Sequence, residues 1–314
     1  MSTADPRPVP TEGQAMAADP RPAVAAQERR SRRALRRLDH WVLPAFTILA
    51  IVYLLMPIAV MIIYSFNDPV GKFNYAWNEF SLAAWQNPLG RPGLPQAVAN
   101  SLIVAVLATL VATILGTLIA LALTRYSFRG RSATNLFIFV PMAAPEIVLG
   151  ASLLTLFVGS ASLEPFKSII PAGLLFPLGL NTILIAHIMF CISFVVVTVR
   201  ARIQGFDNNL EQAAGDLYAN EWQTFWRVTF PLIFPGILAG ALLAFSLSID
   251  DFIVTNFASG TTNTFPIWVW STIRNSLPPQ VNVIGTIIFS LAVGLVVVST
   301  LIGRYRAQRA MRPS

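Results

Sequence analysis

Between two long apolar runs the chain reads Asn209-Leu-Glu-Gln-Ala-Ala-Gly-Asp-Leu-Tyr218, then Ala219-Asn-Glu-Trp-Gln-Thr-Phe-Trp-Arg-Val-Thr-Phe-Pro231. The flanking runs, 178–199 and 236–258, are nearly uncharged. The segment between them holds Glu211, Asp216, Glu221 and Arg227 among good helix formers, so it belongs in water while its neighbours do not. This contrast decides the architecture: two membrane-crossing helices joined by an ordered polar element.

The whole composition points the same way. Of 314 residues 55% are hydrophobic and 12% charged, about half the roughly 25% charge of a soluble domain. The net charge of +7 sits at the ends of apolar runs rather than in a folded basic domain. That distribution fits membrane topology and argues against nucleic acid as a partner. The single cysteine, Cys191, lies inside an apolar run and excludes an intramolecular disulfide. It reads as a small buried residue.

Six apolar runs occur, at about 41–64, 97–124, 134–158, 178–199, 236–258 and 281–303. Each is long enough to cross a hydrocarbon core of about 30 Å at about 1.5 Å per residue. The runs are continuous rather than alternating, which requires helices that satisfy their own backbone in lipid. The expected fold is therefore all-α: a polytopic membrane protein with six transmembrane helices over 41–303. A polar loop spans 200–235, and basic tails occupy 1–40 and 304–314. The N-terminal tail is rich in Pro, Ala and Gln, carries six arginines in 29–37, and reads as disordered. The first apolar run has 24 residues, too long for a signal-peptide core of about 7–15, so it reads as an uncleaved helix.

Six spans put both termini on one side. If that side is the cytosol, 18 Lys and Arg lie inside and only four (Lys72, Arg91, Lys167 and Arg274) lie outside. The positive-inside rule then places 200–235 and both tails in the cytosol. The outer loops carry Trp77, Trp85, Trp268 and Trp270, which suit the membrane interface or a surface that receives a partner.

Within the polar loop, Asp207 and Asn208 are candidate N-caps for a helix through Leu210-Glu-Gln-Ala-Ala. A second amphipathic turn runs through Trp222–Trp226, and Pro231 and Pro235 are expected to end it before the next span. Two short helices joined by a turn would make a compact knob. The small pair Ala213-Ala214 permits close approach of a partner, Glu211 and Asp216 offer charge, and Trp222, Phe225 and Trp226 suit an interface better than solvent.

Ionisable groups within spans mark functional positions. Glu146 falls about 18 Å into the third span and Asp250 about 21 Å into the fifth, counted from the same side. With Asp251 they form an acidic layer without Lys or Arg in the spans to neutralise it. Ser248, Asp251 and Thr255 recur on one helical face, whereas Asp250 lies about 100° away, on the face of Ser246. Pro141 and Pro145 interrupt the third span just before Glu146. His187 in the fourth span reads as a hydrogen-bonded packing residue, a proton relay or a ligand, and no cluster with metal-ligand spacing accompanies it.

The spacing of 209–231 resembles the loop by which permease subunits of ATP-binding-cassette importers dock on their ATPase. Gln212-Ala213-Ala214 stands in the place of that family's Glu-Ala-Ala, Tyr218 in the place of its Gly, and Val228-Thr229-Phe230-Pro231 at its Ile-x-Leu-Pro. Glycine adopts positive φ freely and tyrosine does not, so the turn is expected to shift toward Asn220. Ala244-Phe-Ser-Leu-Ser-Ile-Asp-Asp-Phe-Ile-Val-Thr-Asn-Phe257, Arg125-Tyr126 and Phe139-Val-Pro-Met-Ala-Ala-Pro-Glu146 resemble the polyamine (spermidine/putrescine) branch.

This resemblance, covering about 97–303, implies a type I importer permease in a bacterial cell membrane. Its implied partners are ATPase subunits, a second permease subunit, an extracytoplasmic substrate-binding protein, membrane lipids and a polyamine. The chain has no G-x-x-x-x-G-K-[ST] segment, so ATP is bound by the ATPase subunit, and no catalytic residue, metal or cofactor is assigned here. The implied docking residues are Glu211, Gln212, Ala213, Ala214, Asp216, Tyr218 and Pro231. Those of the substrate pathway are Glu146, Ser248, Asp250, Asp251 and Thr255. The competing readings are a related importer for another small solute, an ion-coupled secondary transporter with Glu146, Asp250 and Asp251 as relays, and a structural or channel-forming membrane protein.

Overall fold

The computed structural model describes residues 21–162, 164, 168, 171, 173–205, 207 and 209–310. The outer parts of both basic tails, together with Lys167 and the candidate cap Asn208, lie outside the described residues. The chain divides into two compact units, up to Val60 and from Met61 onward.

The first unit is helical from Arg21, as the start of α1 (Arg21–Tyr64). Residues 21–40, expected as disordered tail, are therefore helix. Ala, Arg, Gln and Leu dominate there and no proline intervenes between Pro22 and Pro44, so local propensity favours the helix despite the charge. From Val42 this helix is strongly apolar, and Phe46, Leu49 and Tyr53 are all exposed.

In the second unit a two-residue antiparallel pair, β1 (Asn67–Asp68) with β2 (Glu79–Phe80), and the short α2 (Ala83–Gln86) precede a long helix, α3 (Leu94–Arg125). Then come α4 (Arg131–Ala143), α5 (Glu146–Ser162) and α6 (Leu180–Gln204). The polar loop forms α7 (Asn209–Asp216) and α8 (Glu221–Thr224), and the chain continues into α9 (Phe230–Asp250). Two short helices, α10 (Ile253–Ala258) and α11 (Phe265–Ile273), lead to α12 (Pro279–Ala310).

The bundle is built around α3, α6 and α9. On α3, Ala108, Ala112, Gly116 and Ala120 recur every fourth residue and are buried, while Leu110, Ile114 and Leu118 face outward and are more than half exposed. Small residues inside and large apolar residues outside are what helices packed in lipid require, because close approach rather than hydrophobic collapse holds them together. At Gly116 a Cβ would come within 2.7 Å of Val195 on α6, so only glycine allows this crossing. Cys191, Val195, Val196 and Val199 of α6 and Ile233 and Ala244 of α9 complete that core. A second core joins Leu149, Leu153 and Phe157 of α5 to Ile183 and Ala186 of α6 and Val254 and Ala258 of α10.

Among the described residues, four helices are long and apolar enough to cross a membrane: Val42–Tyr64, Leu94–Arg125, Leu180–Gln204 and Glu221–Asp250. The pair α4 and α5, bent by 110°, makes a fifth if counted as one span. Pro279–Gly294 is a shorter apolar helix at the sixth expected span. The chain is thus an all-α polytopic membrane protein whose third expected span is not straight. The bend falls at Pro145, and Ala144 before it is extended at φ −72° and ψ 137°, as a residue preceding proline prefers. Pro141, also expected to interrupt the span, is carried inside α4.

The fifth expected span, 236–258, is also broken. α9 stops at Asp250, Asp251 is extended at φ −62° and ψ 123°, and α10 begins at Ile253. The Asp251 carboxylate accepts the backbone N–H of Thr255 at 2.7 Å, a local bond that competes with helix continuation.

At the end of α3 opposite the polar loop, about 48 Å away along the helix, residues 65–93 and 274–280 form a polar cap. Asn67 Nδ2 donates to Asn74 Oδ1 at 2.6 Å, Asn74 Nδ2 to the Tyr64 carbonyl at 2.8 Å, and the Leu277 N–H to the Lys72 carbonyl at 2.8 Å. Two of the four tryptophans serve this packing: Trp85 donates to Ser65 Oγ at 3.2 Å and the buried Trp268 to the Pro92 carbonyl at 3.1 Å. Trp77 and Trp270 stay exposed.

Candidate functional site

The polar loop forms two short helices, and each end has a physical cause. Asp207 Oδ1 accepts the N–H of Asn209 at 3.0 Å and starts α7. The helix ends at Tyr218, which sits at φ 60° in the left-handed region. The N–H of Ala219 bonds the carbonyl of Ala214 at 3.1 Å and that of Tyr218 bonds Gly215 at 2.9 Å. These are the 6→1 and 5→2 bonds of a Schellman cap. The turn therefore does not shift to Asn220. It stays where the family's glycine would put it, because the paired carbonyl bonds offset the steric cost of a Cβ at positive φ. Asn220 instead starts α8. Its Oδ1 accepts the N–H of Gln223 at 2.8 Å while Gln223 Oε1 accepts the N–H of Asn220 at 3.2 Å, a reciprocal capping box.

The second helix does not end at Pro231 or Pro235. A π-helical turn over Phe225–Thr229 runs directly into α9, with the Phe230 N–H bonded to the Phe225 carbonyl, and Pro231 falls in the first turn of α9. Phe230 before it is already helical, so Pro231 lies within one continuous helix, directly after the π-helical turn. Pro235 is carried within α9.

The loop presents Leu217 at 82% exposure, Tyr218 at 97% and Trp222 at 70%. Trp226 lies edge-on to Trp222 at 5.6 Å and against Phe230 at 4.9 Å. Gln212, Ala213, Asp216 and Pro231 are exposed and Ala214 is half-buried. Glu211 departs from expectation. It is ion-paired to Arg125 at the end of α3, and the same carboxylate oxygen accepts the hydroxyl of the buried Thr229. Its charge is thus spent within the chain rather than offered to a partner.

A second constellation lies at the break between α9 and α10. His187 of α6 is buried, its Nδ1 lies 2.7 Å from Ser248 Oγ, and its Nε2 lies 2.8 Å from Thr255 Oγ1. The Thr255 hydroxyl also lies 2.7 Å from Asp251 Oδ2. That hydroxyl has one proton, which goes to the carboxylate, so toward the ring it accepts and Nε2 carries hydrogen. Asp251 Oδ2 stands 3.4 Å from Nε2. Ser248, Asp251 and Thr255 therefore share one surrounding, as their common helical face suggests, but through a broken helix. They close on His187 rather than line an open path. The sequence alone leaves the role of His187 open, and the helical spacing of Ser248 and Thr255 is the one signal in it that groups the two hydroxyl partners.

Asp250 points elsewhere. It borders a cavity of about 620 Å³ between α9, α11 and α12, walled by Phe245, Phe252, Phe265, Trp270 and Phe289. Asp250 is the only charged side chain among the described residues that line it. Trp270 packs against Phe252 at 5.3 Å, and the Arg274 guanidinium lies 5.5 Å from the centre of its ring. Glu146, the exposed first residue of α5, is within electrostatic reach of Asp250, as is Asp251. The acidic layer thus divides into Asp250 and Glu146 on accessible surface and Asp251 turned into the bundle. The aromatic wall had no signature in the sequence, because its members come from elements separated by loops.

Comparison with known proteins agrees with this architecture. Residues 112–312 match the family model described as binding-protein-dependent transport system inner membrane component. The spermidine/putrescine transport system permease protein PotC of Haemophilus influenzae is 35% identical over 83% of this chain and 95% of its own length. The putrescine transport system permease protein PotI of Escherichia coli K12 is 35% identical over 79% of this chain and 85% of its own. In fold, the chain is similar to a solved chain from a bacterial ABC transporter involved in the import of the acidic polysaccharide alginate. That similarity has a TM-score of 0.60 at 16% identity over 89% of this chain and all of the other. The chain belongs to the inner membrane component family of binding-protein-dependent transport systems, as a multi-pass permease subunit that leaves ATP hydrolysis to a separate ATPase.

Proposed function

We propose that this permease moves a polyamine across the cell membrane. An extracytoplasmic binding protein delivers the substrate, a second permease subunit supplies the other half of the path, and ATPase subunits dock on 209–231. In this reading the loop and both termini face the cytosol, in accord with the 18-to-four distribution of basic residues.

The observation that carries the substrate assignment is the cavity beside Asp250, taken with the similarity to the spermidine/putrescine permeases. A polyamine is a chain of methylenes interrupted by ammonium groups. Its methylenes suit apolar walls and its ammonium groups suit carboxylates and the faces of aromatic rings. A single carboxylate among Phe245, Phe252, Phe265 and Trp270 offers this alternation, and Glu146 adds a second negative charge nearby. Ser248, Asp251 and Thr255 support the site from behind by holding the helix break that turns Asp250 outward.

The docking role falls to Gln212, Ala213, Asp216, Tyr218 and Pro231 on the exposed side of the loop, with Ala214 beneath them. Uptake of radiolabelled spermidine into proteoliposomes containing the complete transporter tests the substrate site. Asp250→Asn is expected to lower uptake about tenfold while the complex assembles normally. Wild-type uptake by this variant would remove Asp250 from the path.

A further inference from the structure

Glu211 stands at the acidic start of a helix that is capped at both ends but buries no side chain. α7 contains no buried residue, and its one large aliphatic side chain, Leu210, is 47% exposed. An amphipathic helix is ordinarily fixed by burying its apolar face, and α7 buries none. Instead one carboxylate oxygen of Glu211 meets both the guanidinium of Arg125 and the hydroxyl of Thr229. Arg125 is the last residue of α3, and Thr229, fully buried, ends the π-helical turn that feeds α9. Three elements therefore converge on one side chain, which is only 20% exposed.

We propose that Glu211 is a positioning residue, a strut that passes displacement of the docking loop to α3 and α9, and not a contact to the ATPase. The inference rests on the reading of this chain as an ATP-driven permease. A π-helical turn holds one extra residue per turn and is a place where helical register shifts at low cost. Phe225–Thr229 is such a turn, and Glu211 grips its final residue. From there α9 runs without interruption to Asp250, at the cavity edge. A push on α7 is thus delivered to the helix whose far end carries the substrate-facing carboxylate, while Arg125 ties the same push to α3. Exposed residues of the loop provide the grip on the ATPase, and Glu211 converts that grip into motion of the spans.

The test uses the complete transporter in proteoliposomes and reads three quantities: copurification of the ATPase, ATP hydrolysis, and substrate imported per ATP hydrolysed. Glu211→Ala is expected to retain the ATPase and its hydrolysis while import per ATP falls about tenfold. Exchanging the charges, Arg125→Glu with Glu211→Arg, is expected to recover part of that ratio. Thr229→Val, which removes one donor at nearly constant volume, is expected to lower the ratio less than Glu211→Ala does. Should Glu211→Ala fail to insert, Thr229→Val carries the decision alone, and a wild-type ratio in it overturns the strut. Loss of ATPase copurification in Glu211→Ala would make Glu211 a docking contact and also overturn the strut. A wild-type import ratio in Glu211→Ala would do the same. If the wild-type transporter itself imports substrate without ATP hydrolysis, the functional reading fails first, and the strut with it.

Discussion

Two adjacent aspartates end α9 with different surroundings. The backbone at Asp251 leaves the helical region, so its carboxylate turns back to the N–H and hydroxyl of Thr255, while Asp250 stays on the last helical turn beside the cavity. His187 holds this arrangement from α6, with one hydroxyl on each ring nitrogen. Removing the ring would take the buried Ser248 hydroxyl's partner, at about 1–3 kcal/mol, and leave a cavity among buried residues, while Thr255 keeps its bond to Asp251. His187→Ala is therefore expected to lower the melting temperature of the detergent-solubilised protein by about 5–10 °C. An unchanged melting temperature would mean that the break holds without the histidine. At this scale the sequence supplied the residues but not their company. The i, i+3, i+7 relation of Ser248, Asp251 and Thr255 was legible, yet it assumed a continuous helix. The side-chain bond that stops the helix at Asp251 is invisible to hydrophobic periodicity. Tyr218 teaches the reverse lesson: local steric preference argued against a turn there, and the backbone bonds of the cap outweigh it.

Elements in this molecule are long helices with distinct interruptions. The apolar runs located α3 to within three residues of each end, because a membrane demands continuous apolar length, whereas α6 runs on to Gln204 and α9 starts at Phe230 and stops at Asp250. Interruptions were harder to read. Proline alone did not locate them: Pro145 marks a 110° bend, whereas Pro141 and Pro235 are carried inside helices and Pro231 falls in the first turn of α9. Pro231 directly follows a π-helical turn, which takes up a change of register within the continuous helix Glu221–Asp250. Close packing between elements rests on small residues, with α3 meeting α6 at Gly116 and Val195. Gly116→Leu is expected to force these helices apart and to lower the yield of folded protein in the membrane. Normal yield and a normal melting temperature would show that the crossing has room to spare.

On the scale of the whole molecule, the polar loop and the polar cap of 65–93 and 274–280 lie at opposite ends of α3. That layout suits a protein driven from one side to release on that side what it received on the other. It gives the 209–231 loop, the π-helical turn, the uninterrupted run of α9 and the cavity edge a single physical connection. We propose that ATP hydrolysis at the 209–231 end drives import. This is tested most directly by measuring ATP hydrolysis and spermidine uptake together in proteoliposomes carrying the complete transporter, with wild-type permease and with Ala214→Arg, whose bulk and charge obstruct close approach at the loop. We expect wild-type uptake to require ATP and Ala214→Arg to insert normally but lose ATP-driven uptake. Wild-type uptake in the variant, or uptake that persists without ATP and collapses with an uncoupler, would contradict the claim.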